Sequence, residues 1–288
     1  MTTRTAVKKR SQASDVWRRL KKSRLAMLGL IGLAILVFCA LFADLIAPYD
    51  YALQDYTALN QTPSLAHPFG TDNFGRDIFS RVIYGARISL VMGFISLSIG
   101  ALIGCILGAV AGFFGKKLES IIMRACDIMM SIPSTVLAIV ITTTLGPGLV
   151  NAIIALSIST IPTFARVVRG STLTVKDQEF IEAARCIGAK NSHIILHYIL
   201  PNVLAPIIVQ ATLGIGKSII MLAALSFLGL GIQPPTPEWG SMLSTARTFM
   251  RDYPHEVIFP GLAIMFTVLS LNLFGDGLRD ALDPKLKR

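Results

Sequence analysis

The chain has 288 residues, 53% of them hydrophobic and only 15% charged, with a formal net charge of +10. Soluble domains carry about 25% charged residues, and here the missing charge is absent from long continuous runs, which excludes an ordinary soluble enzyme. A basic balance can signal nucleic-acid binding, but these charges flank apolar runs and form no separate basic domain.

The first apolar run is Leu25–Ala47. As a helix it is about 34 Å long, enough for a hydrocarbon core of ~30 Å. Asp44 falls in its last turn, where a headgroup region solvates it. A cleaved signal peptide would have a shorter apolar run and a small-x-small site before Pro48, so an uncleaved span is expected. Five further spans are expected at Ile88–Phe113, Ile132–Leu145, Leu149–Phe164, Val203–Leu225 and Val257–Phe274, the third and fourth short and interrupted by Pro133 and Pro162. Nine of the 27 basic residues lie in 1–24, three in 114–131, five in 165–202 and four in 275–288. Lysine and arginine concentrate on the cytosolic side, so both termini are expected in the cytosol.

This divides the chain into a basic cytosolic segment (1–24), a first transmembrane helix (25–47), an external loop (48–87), a five-helix core (88–274) and a cytosolic tail (275–288). The core contains a cytosolic hairpin (174–201) and an external loop (229–256) with the run Gln233-Pro234-Pro235-Thr236-Pro237. Prolines stiffen that loop. It either docks an external partner or caps the bundle.

Within the second span Gly100, Gly104, Gly108 and Gly112 recur every four residues. They make a smooth groove that lets another helix approach closely. Packing within the chain is the simpler reading, a subunit interface the other. The four cysteines, Cys39, Cys105, Cys126 and Cys186, form no C-x-x-C pair and read as small packing residues.

Ala211–Ser218, ATLGIGKS, approximates a phosphate-binding loop, but it lies inside an apolar span and lacks the first glycine. No nucleotide site is expected. Lys217 in that segment is a charge within a span. Such a residue faces a pathway or snorkels to an interface, and Lys217 is a candidate pathway residue. His193 and His197 have metal-ligand spacing but no third ligand nearby, so no metal site is expected. No catalytic constellation stands out. Asp127 beside Arg124 is a candidate surface ion pair.

The 174–201 stretch is polar and basic between apolar spans. Thr174-x-x-Asp177 is expected to open a helix in capping-box fashion. Phe180, Ile181, Ala184 and Ile187 follow at helical spacing, and Ala183 with Ala184 keeps one face thin. Gly188 supplies a left-handed residue that ends the helix. Asn191 or Ser192 caps a second helix, which Pro201 stops. The product is an amphipathic helix pair outside the membrane, suited to a cleft on another protein.

Glu182-Ala183-Ala184, then Gly188, then Leu200-Pro201 resembles the EAA signature of bacterial ABC importer permeases, with Tyr198 where an aliphatic residue is usual. His67–Leu90, Ser226–Leu243 and Asn272–Arg288 are similar to the dipeptide/oligopeptide/nickel branch. The short outside region after the first span resembles that of the second of the branch's two permeases, and the chain is similar to dipeptide and glutathione permeases. The resemblance implies an all-α membrane protein of about six transmembrane helices, a type I ABC importer permease fold with cytosolic coupling helices. It implies a bacterial cytoplasmic (inner) membrane location, a homologous second permease, two ATP-binding subunits and an extracytoplasmic solute-binding protein. ATP would be bound by those subunits, leaving this chain no cofactor and no enzymatic activity. Glu182, Ala183, Ala184, Gly188, Leu200 and Pro201 would couple to the ATPase. A nickel or metal-chelate importer is the alternative within the family, and a secondary transporter driven by an ion gradient the alternative outside it.

Overall fold

The computed structural model describes residues 12–282; the charges at Arg4, Lys8, Lys9, Arg10, Lys285, Lys287 and Arg288 lie outside that range. Among the described residues the regular secondary structure is helical, apart from one isolated bridge between Thr71 and Asp77; the stretches 47–77, 228–238 and 247–254 are turns and loops. A short helix α1 (Gln12–Leu20) precedes α2 (Arg24–Leu41), whose N-cap Ser23 accepts the Ala26 N–H. The chain kinks at Phe42 into α3 (Ala43–Ile46). There Arg87 joins Asp44 at 3.0 Å and donates to the Ala40 carbonyl, pinning the end of the first apolar run.

Helix α4 (Ile78–Phe114) starts ten residues earlier than the expected second span. Arg81 and Arg87 made this stretch look like loop, but Asp77 caps it by accepting the Ser80 N–H at 2.7 Å. At about 55 Å the helix exceeds a ~30 Å hydrocarbon core. The third expected span is a helix from Ser134, and the stretch before it, expected as a cytosolic connection, is a helix too. Amphipathic α5 (Lys116–Ser131) meets α6 (Ser134–Leu145) at a 90° bend. Pro133 is the cause: it forces Ile132 into extended backbone, at φ −96° and ψ 130°. At about 18 Å, α6 is too short to cross by itself. Five helices are long and apolar enough to do so, and the bent pair makes up to six.

Helix α7 (Leu149–Val175) runs through Pro162 and ends eleven residues beyond the expected boundary at Phe164. Proline is tolerated inside such helices where neighbouring elements hold both halves, and α4 does so here. A Cβ added at Gly100 or Gly104 would stand 2.6 Å from the Ser157 or Ile161 carbonyl oxygen. Gly108 faces Ala165 and Gly112 faces Thr172 in the same register. The groove therefore packs within the chain, and α4 and α7 run parallel.

The remaining large helices are α11 (Leu204–Phe227) and α13 (His255–Leu282). Gly93 meets Ile219 and Gly214 meets Leu97, so α11 is antiparallel to α4. Gly29 meets Ser270, and Gly277 meets Ala26, so α13 is antiparallel to α2. The alternation brings α1 and the last turns of α13 to one end of the bundle, where Leu20, Ala26 and Ala281 share a core. The residue 176–203 hairpin lies at the same end, against Ala109 and Val168. The segments 48–77 and 228–254 cover the opposite end.

Candidate functional site

The hairpin is built from α8 (Glu179–Cys186), α9 (Asn191–Ile194), a wide π-helical turn (Ile195–Ile199) and α10 (Leu200–Asn202). Ile181, Ala184, Ile194, Ile195, Ile199 and Val203 bury one face against Val168 and Val175 of α7. The turn is a Schellman closure: Ala189 N–H donates to Ala184 O, and Gly188 N–H to Arg185 O. Gly188 has φ +78° there, in the left-handed region a residue with a side chain enters at a cost.

Four expectations change. Thr174 does not open the first hairpin helix; it lies in the last turn of α7, donating to Ser171 O, and Gln178 precedes α8 without a side-chain cap. Lys190 occupies the second N-cap, so neither Asn191 nor Ser192 caps it. Pro201 does not stop the second hairpin helix, which runs on to Asn202. The widened turn just before it relaxes the repeat that a proline ring would otherwise obstruct, and only Val203 separates α10 from α11. The two alanines part company, since neighbours on a helix point about 100° apart: Ala184 is buried, while Ala183 is exposed beside Glu182. Ile187 is 81% exposed at the tip, which leaves an apolar point flanked by Glu182, Ala183 and Gly188. Leu200 is half-buried and Pro201 exposed. The rings of His193 and His197 stack at 4.1 Å, and among the described residues no third His, Cys, Asp or Glu joins them in a metal-like group.

Lys217 sits mid-way along α11, its side chain exposed. ATLGIGKS thus lies wholly in this helix, without the strand and loop a phosphate site needs. Lys217 lines a cleft of about 170 Å³ between α7 and α11, with Ser159, Thr160, Thr163 and Gln210. Among the described residues no carboxylate pairs with it; the ion pairs all lie elsewhere.

Alongside the hairpin, α5 is tied to α7 by Glu119 with Arg169 and by Asp127 with Arg166 at 2.6 Å. Asp127 thus pairs across the bend, not with Arg124. Both partners are more than half exposed, so the pair contributes little. Asp127→Asn is expected to shift the melting temperature of the purified protein by no more than about 2 °C, read by a thermal melt in detergent.

At the opposite end a buried charge cluster locks the cover. Asp72 accepts the Phe74 and Arg76 N–H groups and the Arg76 Nε at 2.7 Å, with Arg81 Nε 3.7 Å away. Arg81 donates to the Tyr51 and Pro235 carbonyls, joining both covering segments. The carboxylate of Glu238 caps α12 (Trp239–Ala246) through the Gly240 and Ser241 N–H groups. Burial pushes its pKa up, against those two bonds. Trp239 is buried and donates its indole N–H to Val82 O. Asp72→Ala strands two buried guanidinium groups. A loss of about 3–5 kcal/mol is expected, seen as a collapsed yield of folded protein on size exclusion; Asp72→Asn, which keeps the shape, should lose less.

Apolar helices in alternating register, a bend at one side, a polar cleft and an amphipathic hairpin at one end define a multi-pass membrane protein. Residues 100–288 match the family described as binding-protein-dependent transport system inner membrane component, and residues 11–63 match the N-terminal transmembrane domain of oligopeptide transport permease C. The chain belongs to the first of these families. It is 50% identical over 273 residues to a dipeptide transport system permease protein, DppC, of Alkalihalophilus pseudofirmus. It is 52% identical over 274 residues to a glutathione transport system permease protein, GsiD, of Escherichia coli. Each match covers 95% of this chain and 90% of the relative. In fold it resembles a chain of the inward-facing MetNI methionine ABC transporter, with TM-score 0.59 and 21% identity over 72% of this chain and 98% of that one. A chain of an amino acid ABC transporter crystallised with histidines gives TM-score 0.53 at 15% identity, covering 70% and 94%. The fold is that of a type I ABC importer permease, and the chain is a transport permease, not an enzyme.

Proposed function

We propose that this chain forms half of the translocation pathway of an ATP-driven importer for dipeptides, oligopeptides or glutathione in the bacterial cytoplasmic membrane. The observation that carries the reading is the identity of 50–52% to dipeptide and glutathione permeases along 95% of the chain. A homologous second permease completes the pathway, two separate subunits bind ATP and supply the energy, and an extracytoplasmic protein delivers the solute. This chain holds no nucleotide and no cofactor of its own. The hairpin end faces the cytosol with both termini, in keeping with the basic residues there. Glu182, Ala183, Ala184, Gly188, Leu200 and Pro201 form or support the surface that the ATPase grips. ATP binding closes the ATPases and carries the hairpins together, which favours the outward-open state; hydrolysis releases it.

Deleting the gene and following uptake of labelled dipeptides and glutathione tests the reading. Loss of uptake of one of them, restored by the gene and dependent on co-purifying ATPase subunits, is the expected result. Unchanged uptake of every peptide would remove the solute assignment, and transport by the purified chain on an ion gradient alone would remove the class.

A further inference from the structure

Lys217 is the one lysine among the described residues that lies deep in a long apolar helix. Ten residues separate it from Phe227 and thirteen from Leu204, roughly 15 and 20 Å along the axis. Its ammonium group faces a cleft whose other polar side chains are neutral. Holding an unpaired cation at such depth is costly unless water or an anion reaches it.

The surrounding groups narrow the chemistry. The Ser159 hydroxyl donates to the Ala155 carbonyl and the Thr160 hydroxyl to the Leu156 carbonyl of their own helix. Each hydroxyl hydrogen is therefore used, and each oxygen faces the cleft as an acceptor. Lys217 brings three donors and a positive charge, and the Gln210 amide adds two more. One wall thus offers cationic and amide donors, the other hydroxyl acceptors. A solute with a carboxylate at one place and N–H groups at another satisfies both. A free divalent cation would be repelled by the ammonium.

We propose that Lys217 receives the carboxylate of the permeating solute partway along its route, while the hydroxyls of Ser159 and Thr160 accept from its N–H groups. The proposal rests on the peptide-importer reading and adds the charged group that this helix recognises.

The test is ATP-driven uptake by the full complex in proteoliposomes, with saturating binding protein. Two probes are compared: alanyl-alanine, glutathione or tetra-alanine, whichever the wild type imports, and the same compound amidated at its C-terminal carboxylate. The binding protein's own preference is common to all variants, so the ratio of the two rates isolates the permease. Lys217→Gln is expected to lower the ratio of free acid to amide about tenfold, as loss of one charge-assisted hydrogen bond does. Lys217→Arg is expected to keep it. An unchanged ratio in Lys217→Gln, or an equal fall for both probes in both variants, overturns the proposal while leaving the importer reading intact. If the wild type imports neither of the smaller compounds nor a longer peptide such as tetra-alanine under ATP, the peptide reading itself fails, and the role of Lys217 falls with it.

Discussion

Gly104→Leu is expected to abolish the folded protein. Its position in the contact of α4 with α7 leaves no room for a side chain. A Cβ there would stand 2.6 Å from both the Ile161 carbonyl oxygen and the Phe164 Cβ, and 3.1 Å from the Ala165 N. Two of these atoms are backbone, so no rotamer change relieves the overlap, and the helices must separate. Separation also opens the neighbouring contacts at Gly100, Gly108 and Gly112, because all four lie on one ridge. In a membrane the helices are held by packing and not by exclusion of water, so a lost contact is not compensated by lipid. Gly104→Ala is expected to destabilise by about 1–3 kcal/mol, and Gly104→Leu to leave no monodisperse peak on size exclusion. Gly170 on α7 supplies the control. A Cβ there meets nothing within 4 Å, and Gly170→Ala should leave stability unchanged or raise it by up to about 1 kcal/mol. A normal peak from Gly104→Leu, with a normal melting temperature, would show that the parallel pair is not the spine of the bundle.

Which helix fills the glycine groove of that pair was not legible in the sequence, since the facing residues of α7 lie about sixty positions away. The groove itself was, because its signal is local and periodic: four glycines at one spacing in one apolar run. The same holds for the apolar spans, for Gly188 as a left-handed residue and for the block of motifs that marks the family. What failed was punctuation. Pro162 and Pro201 read as breaks, yet α7 continues through the first and the hairpin passes the second on a widened turn. A proline weakens a helix by a fixed local amount, whereas neighbouring elements decide whether the helix survives, and those neighbours are distant in sequence. Pro133 broke its helix as expected, but the 90° bend and the amphipathic α5 before it could not be inferred from one residue. Asp77 as the true cap of α4 was hidden by the charges after it, since Arg81 reads as loop until its partners Asp72, Tyr51 and Pro235 are seen to surround it. Asp127 pairing with Arg166 across the bend is of the same kind: thirty-nine positions separate them, and the nearer Arg124 drew the pair away.

The hairpin tip yields the other large expected effect. Gly188 has φ +78°, and a Cβ at that position meets nothing within 4 Å. Substitution there is therefore opposed only by the backbone conformation itself. Valine, branched at Cβ, is strained in the left-handed region by about 1–2 kcal/mol or more, while asparagine enters it readily. The strain is confined to the turn, because the buried face formed by Ile181, Ala184, Ile194 and Ile199 is untouched. Gly188→Val should thus insert and fold at normal yield but carry a tip whose exposed Glu182, Ala183 and Ile187 no longer sit in register with each other. If the tip is where the ATPase takes hold, uptake falls at least tenfold and substrate no longer stimulates ATP hydrolysis, whereas Gly188→Asn retains most of both. The paired substitutions separate conformation from bulk, since asparagine and valine are of similar size. Full substrate-stimulated hydrolysis in Gly188→Val would place the coupling contact elsewhere on the cytosolic face, and the exposed edge of α5 would be the next surface to test.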